Sequence, residues 1–398
     1  MKNMVDGRLG PADHDTASAD PLAAATTQFG LGLADHLLGR QSHDTFFISP
    51  VGLFSALTLA YLGATGETRQ QMGQTLGLPD LPLDELHRAI ARSRIQFEQV
   101  KLRIATALFT RNDWPPQPAF IHQSRELFGA DVTALDFGSA EAVQAINAWV
   151  RTRTDGNIDH IVDAIDPLAA LFLLSAVYFK AGWMTPFSVG YTEEHPFHLP
   201  DGRSKNVWMM SMSSTSMRVC RTAEFAAVAL PYVSDTVSMY IFLPNLGSNP
   251  QSVLARLRTP AWTNWQDHFP KGRSDLLIPR ITLEYDVELK QPLIDLGMPA
   301  AFDQDRATFH EITTQRDENI YISSVRHKTR LAVDEQGTEA AAATRVEMRF
   351  LSGRSRAINT LIIDRPFFCA IRDDRSQTLL FLGWIVDPQP LRGARPPA

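Results

Sequence analysis

Residues 335–350, EQGTEAAAATRVEMRF, carry an alternation that narrows what this chain can fold into. The even positions Thr338, Ala340, Ala342, Thr344, Val346, Met348 and Phe350 are all small or apolar, whereas Glu339, Arg345, Glu347 and Arg349 stand at odd positions beside Ala341 and Ala343. Side chains of a β-strand alternate faces, so this segment can bury one face in a sheet and wet the other. Glu, Ala, Met and Arg are also good helix formers, and a plain surface helix satisfies the same composition. The flanks favour the strand. NIYISSVRHKTRLAVDE before it reads as a complete strand, and LSGRSR after it reads as an exposed, cleavable loop. Strand, strand-competent extension and bait in one line point to a spring-loaded device rather than a catalyst.

The bulk numbers leave room for this. The 398 residues are 44% apolar and 21% charged, normal for a globular protein with a sizeable core. Thirty-eight basic against 44 acidic residues give a net charge of −6, which argues against nucleic acid or an anionic membrane as partner. No apolar run reaches the length of a membrane span. MKNMVDGRLGPADHDTASAD has no apolar core of a secretory signal, so a cytoplasmic location is the default expectation, with an extracellular one open if the signal has been trimmed. Cys220 and Cys369 lie far apart in strand-like contexts and read as buried thiols rather than a bridge.

The polar first stretch, 1–22, is expected to be disordered, 23–388 to form one domain, and the Pro/Arg tail 389–398 to be flexible. The first half is mostly helical. Ser49-Pro50 starts a helix as N-cap and first-turn proline, and PVGLFSALTLAYLG is apolar nearly all round, so it is central. EAVQAINAWVRTRTDG is amphipathic and stops near Gly156. Strands dominate the second half, among them LFLLSAVYFKAGW, FAAVALPY, TVSMYIFLPN, DLLIPRITLEYD and TLLFLGWIVD. Several are continuously apolar, as sheets covered by helices require. The class is α+β with mixed, largely antiparallel sheets.

Six blocks in order resemble the serpin superfamily, over about residues 25–388. These are FFISPVGLFSALTLAYLGATGETRQQMGQTLGL, INAWVRTRTDGNIDHIV with LLSAVYFKAGWMTPF, LPYVSDTVSMYIFLP, IPRITLEYDVELKQPLIDLGM, DRPFFCAIRD and HKTRLAVDEQGTEAAAAT. The last is the most specific, resembling the hinge and start of a reactive loop. The resemblance implies three β-sheets, roughly nine helices and an exposed reactive-centre loop at about 338–357. It implies a monomeric suicide inhibitor of serine proteases that needs no cofactor and no metal. The target attacks the loop and forms a covalent one-to-one acyl complex; the cut loop inserts into the main sheet before water can release the enzyme. A non-inhibitory binding or structural member, and inhibition of cysteine proteases, are the alternatives.

The residues agree with that implication. Thr338, Ala340, Ala342 and Thr344 are the first inward positions and all are small; no proline lies between Pro299 and Pro366 to interrupt a ladder. A dozen or more new hydrogen bonds would supply on the order of 10–20 kcal/mol, against about 8 kcal/mol for slowing deacylation a million-fold. The implied hinge is Glu335, Gly337, Thr338, Glu339, Ala340, Ala341, Ala342, Ala343 and Thr344. Glu335 and Arg280 match the family's pair at the top of the main sheet, and Trp183 the aromatic beneath it; the plain reading is an exposed ion pair and a core Trp. Ser49 and His327 match the region where the strands part. Ser175 stands where the family usually has Asn, and Gly52 where it often has Ser, which puts the hydrogen bond to His327 in question and suggests a differently tuned sheet opening.

Counting from Glu335 in the family's manner puts the reactive bond at Leu351–Ser352, implying a chymotrypsin-like or subtilisin-like target; Phe350, Arg354 and Arg356 are the alternatives. No G-x-S-x-G, S-x-x-K, H-E-x-x-H or C-x-x-C motif accompanies them, so an enzyme is not expected.

Overall fold

The computed structural model describes residues 20–40, 43–78, 82–92, 100–234, 236–313, 315, 319–338 and 359–389. Its first half holds α1 (Pro21–Arg40), β1 (Phe46–Ile48), α2 (Pro50–Gly63), α3 (Gly66–Leu76), α4 (Leu83–Arg92), β2 (Lys101–Arg111), α5 (Pro118–Phe128), β3 (Asp131–Leu135) and α6 (Ala140–Arg153). Then come β4 (Leu171–Gly182), β5 (Glu193–His198), β6 (Ser204–Arg221), β7 (Phe225–Pro231), β8 (Val237–Pro244) and α7 (Pro250–Leu257). The rest is β9 (Lys271–Pro279), β10 (Ile281–Glu288), α8 (Lys290–Asp295), β11 (Ile322–Val333), β12 (Gly337–Thr338), β13 (Thr360–Ile362), β14 (Phe367–Asp373) and β15 (Thr378–Ile385). Helix α1 begins at Pro21, just ahead of the domain start expected at residue 23.

Local chemistry explains the central helix. Ser49 caps α2, its Oγ accepting from the Gly52 amide at 3.3 Å, and Pro50 fills the first turn. Nearly every α2 side chain is buried, which is why its sequence shows no polar face.

A six-stranded sheet runs β10-β11-β12-β4-β2-β3, with β11 and β4 also paired directly. Strand β4 is covered on both sides. Leu173, Val177 and Phe179 point into the main core, while Phe172, Leu174 and Ala176 pack beneath Ile146 and Val150 of α6. This double burial accounts for the unbroken apolar run LFLLSAVYF.

Nine strands form a second hydrogen-bonded network, β1-β15-β14-β8-β7-β6-β9-β13 with β5 on β6. The long β6 belongs to two sheets at once. It pairs with β5 and β9 through most of its length, then with β7 over Arg218–Arg221, and its register on β9 shifts between Ser214 and Met217. The three sheets expected from the resemblance are therefore the six-stranded one and two that share β6.

The apolar pattern missed the three-residue β1, β2, β3, β5 and all of β6 but the end around Cys220. Serines and charges interrupt β6, many of whose residues are partly or fully exposed, and five-residue β3 has only one fully buried residue. Such strands are held by neighbours rather than by a hydrophobic pattern. Both cysteines are free and buried, and burial pushes the Cys369 thiol up to about 12.

Candidate functional site: a half-open seam in the main sheet

Strands β4 and β11 run parallel and pair from Leu171–Ile322 to Tyr178–Arg330. Beyond that ladder the chain turns back at Asp334, and β12 slips between them. Thr338 sits opposite Val333 on one side and Ala181 on the other, antiparallel to both strands. The seam is thus open at one end and already holds the first two residues of an added strand.

The open end is built around a buried ion pair. Arg280 Nε and Nη2 both donate to Glu335 Oε1, at 2.8 and 2.7 Å, and Thr192 Oγ1 donates to the same oxygen at 2.6 Å. The two side chains are only 6% and 4% exposed, so the plain reading of a surface pair is overturned. Arg280 Nη1 is buried with no partner among the described residues. Such a pair contributes little net stability over an apolar replacement, but removing one partner strands the other.

Trp183 lies directly beneath. Its indole Nε1 donates to the Asp334 carbonyl at 2.9 Å, its amide donates to the Gln336 carbonyl, and its ring stacks on Tyr232 with centroids 4.6 Å apart. Tyr232 in turn shares a 2.7 Å hydrogen bond between its hydroxyl and Thr338 Oγ1. Gly337 has φ +153°, and a Cβ there would meet the Ala181 carbonyl oxygen at 2.2 Å, so only glycine passes between the two strands at this point.

The closed part of the seam is held by His327. The Ser49 amide can only donate, so His327 Nε2 accepts it at 2.9 Å, and Nδ1 carries the proton to the Ser175 carbonyl at 3.1 Å. Burial pushes this imidazole down to about 3, against the carbonyl that pulls it up. Ser49 Oγ donates to the Leu380 carbonyl at 2.7 Å.

Ser175 departs from the expected arrangement: its backbone, not its side chain, meets His327. The Ser175 hydroxyl is buried and has no hydrogen-bond partner among the described residues. Gly52 faces it. A Cβ on Gly52 would meet Val177 Cγ2 at 2.4 Å and Ser175 Oγ at 2.9 Å, leaving no room for the serine often found at that position.

Ser49, Ser175, Trp183, Arg280, His327, Glu335, Gly337 and Thr338 are therefore brought together along one seam. Glu339, Ala340, Ala341, Ala342, Ala343, Thr344, Phe350, Leu351, Ser352, Arg354 and Arg356 lie outside the described residues. Sequence reading missed Tyr232 and Thr192. Tyr232 follows the strand residue Pro231 in an ordinary LPYVSD turn, and Thr192 lies in a short connection, so nothing local marks either. Among the described residues no cluster of three His, Cys, Asp or Glu could hold a metal.

Three outcomes follow from this geometry. Arg280→Ala strands the Glu335 carboxylate and should cost about 3–5 kcal/mol in chemical denaturation. Ser175→Ala removes an unpaired buried hydroxyl and should raise Tm by about 2–4 °C, whereas Gly52→Ser should lower it. The neutral His327 contributes stability that is complete above its unfolded value of 6.5 and is lost as pH falls from there towards 3. The loss is about 2 kcal/mol by pH 5, and His327→Asn should flatten that limb of a Tm–pH profile.

The family described as "Serpin (serine protease inhibitor)" matches residues 24–388. Rat (Rattus norvegicus) glia-derived nexin is 30% identical over 369 residues, 90% of this chain and 91% of its own length. Human (Homo sapiens) Serpin B8 is 31% identical over 380 residues, 93% of this chain and all of its own. The crystal structure of the thermophilic serpin tengpin in the native state superposes with a TM-score of 0.81 at 27% identity, covering 92% of this chain and 94% of that one. The match spans the fold and every element that frames the seam, and the chain belongs to the serpin family.

Proposed function

We propose that the protein inhibits a serine protease by closing its own cut loop into the β4–β11 seam. The observation that carries this is β12, which sits between the two strands in the register an inserting strand would continue. Extending that register sets Ala340 between Phe179 and Leu331, Ala342 between Val177 and Thr329, and Thr344 between Ser175 and His327. All of these partners lie on the face that Thr338 shares, so the small even-numbered residues are the ones that would be buried.

Insertion has a cost that the loop's own hydrogen bonds must first offset. The eight residue pairs of the β4–β11 ladder break before two new ladders form. One ladder's worth of bonds is the net gain, roughly 4–12 kcal/mol at the usual 0.5–1.5 kcal/mol each. That range straddles the roughly 8 kcal/mol needed to slow deacylation a million-fold. The count made from the sequence, which subtracted nothing, overstated the margin. Burying Val346, Met348 and Phe350 adds about 1.5–3 kcal/mol each and supplies the remainder. The antiparallel polarity of the added strand also makes its pairing slightly better per residue than the parallel one it replaces.

The proposed reactive bond is Leu351–Ser352, which favours a chymotrypsin-like or subtilisin-like enzyme with an apolar primary pocket. The partner is the protease itself, held as a covalent one-to-one complex.

A panel of chymotrypsin-, trypsin- and subtilisin-type proteases should yield a detergent-stable complex with at least one apolar-specific enzyme. The C-terminal fragment released on denaturing it should begin at Ser352, and loop cleavage should raise Tm. Cleavage with no gain in Tm overturns the reading. Thr344→Arg would force a charge between Ser175 and His327, and should turn the inhibitor into a substrate, raising the stoichiometry of inhibition at least tenfold (about 1.4 kcal/mol in partitioning).

A further inference from the structure

Away from the seam, a cleft of about 480 Å³ opens where the end of α1, the β8–α7 connection, the link from β13 to β14, and β15 meet. Leu38 and Trp384, 1% and 3% exposed, form its apolar base. Pro200, Pro244, Pro250 and Pro366 supply rigid walls whose shape is set before anything enters. Ordinary ligand sites have this size and this make-up, mostly apolar with a few convergent polar groups.

The mouth carries an apolar side chain. The Ser248 amide donates to the Asn245 carbonyl at 2.9 Å, and Gly247 takes φ +81°, as a type II turn requires at its third position. That turn holds out Leu246, which is 86% exposed, more than any other large apolar residue among those described. It is placed to close over an occupant.

The polar groups are fixed by the protein's own contacts. Arg365 Nη1 donates to Asp364 Oδ1 and Nη2 to the Pro244 carbonyl, both at 2.9 Å. Three of the five guanidinium N–H groups are left over, in a plane already set. Asn249 Nδ2 donates to Gln251 Oε1 at 3.1 Å, which orients the Gln251 amide and leaves its Nε2 as the donor. A Cβ on Gly39 would meet only that Nε2, at 3.7 Å, so the glycine keeps open space beside it. His43 is the other ionisable lining residue, and no acidic residue lines the cleft among the described residues. Planar, preorganised N–H donors recognise a carboxylate best, whereas an ammonium finds no acid to pair with.

We propose that this cleft is a binding site for a small planar aromatic carboxylate, its ring laid among Leu246, Trp384 and the prolines and its carboxylate received by Arg365 and Gln251. The cleft shares no residue with the β4–β11 seam, so the site stands independently of the inhibitory reading.

The test titrates naphthoate, its neutral isostere naphthamide, and naphthylmethylammonium into the full chain by calorimetry. Naphthoate should bind saturably at one per chain, naphthamide about fivefold more weakly, and the ammonium not at all. Arg365→Gln should remove the advantage of naphthoate over naphthamide. Leu246→Ser, a change at an exposed position that leaves the core untouched, should weaken both about threefold. Gly39→Leu, which fills the cleft from an unobstructed position, should abolish both. Absence of saturable naphthoate binding to the unaltered chain overturns the site. Binding that survives Gly39→Leu overturns it too, as does an ammonium that binds as tightly as the carboxylate.

Discussion

The parallel ladder between β4 and β11 is the constraint on which the rest of the structure depends. It closes the main sheet over its core, and under the proposed function it is the interface that an added strand would replace. The residues around it fasten both of its ends. At the open end, Glu335, Arg280 and Thr192 fasten the turn that aims the chain inward, and Trp183 and Tyr232 brace it from below. Lower down, one imidazole ties β11 to the start of the central helix and to the backbone of β4.

That lower fastening is made differently from what the resemblance implied. His327 bonds to two backbone groups, and the side chain at Ser175 contributes nothing to it. An unpaired buried hydroxyl weakens the closed form. Gly52 is the matching adjustment, because the space its missing side chain leaves is filled by Val177 and Ser175. The two departures from the family pattern are thus one local repacking rather than two independent changes.

Much of this was legible in the sequence, and the limits of that legibility have physical causes. Alternation in 335–350 assigned an inward face on the ground that period two survives wherever one face is buried; Thr338, fully buried against Tyr232, lies on that side, and the later positions lie outside the described residues. The unbroken apolar character of β4 and α2 announced burial on all sides. Arg280 and Glu335 were identifiable by resemblance, but not their burial, since Glu335 meets Arg280 and Thr192 from 55 and 143 residues away along the chain. Most of strand β6, all but the end around Cys220, escaped notice because its exposed face and mid-strand register shift erase the pattern. The idle Ser175 hydroxyl depends on a backbone carbonyl having taken its place, which no side-chain reading reveals.

The seam's half-open state also has a consequence for molecules that meet one another. Main-chain amides between β4 and β11 recognise an extended backbone, and nothing in that recognition distinguishes this chain's own segment from a neighbour's. What favours the resident segment is its tether: the turn from Val333 through Asp334 to Thr338 holds it at an effective concentration that a free neighbour reaches only when crowded. If insertion proceeds as proposed, the short turn would favour the chain's own strand, with fidelity set by loop length.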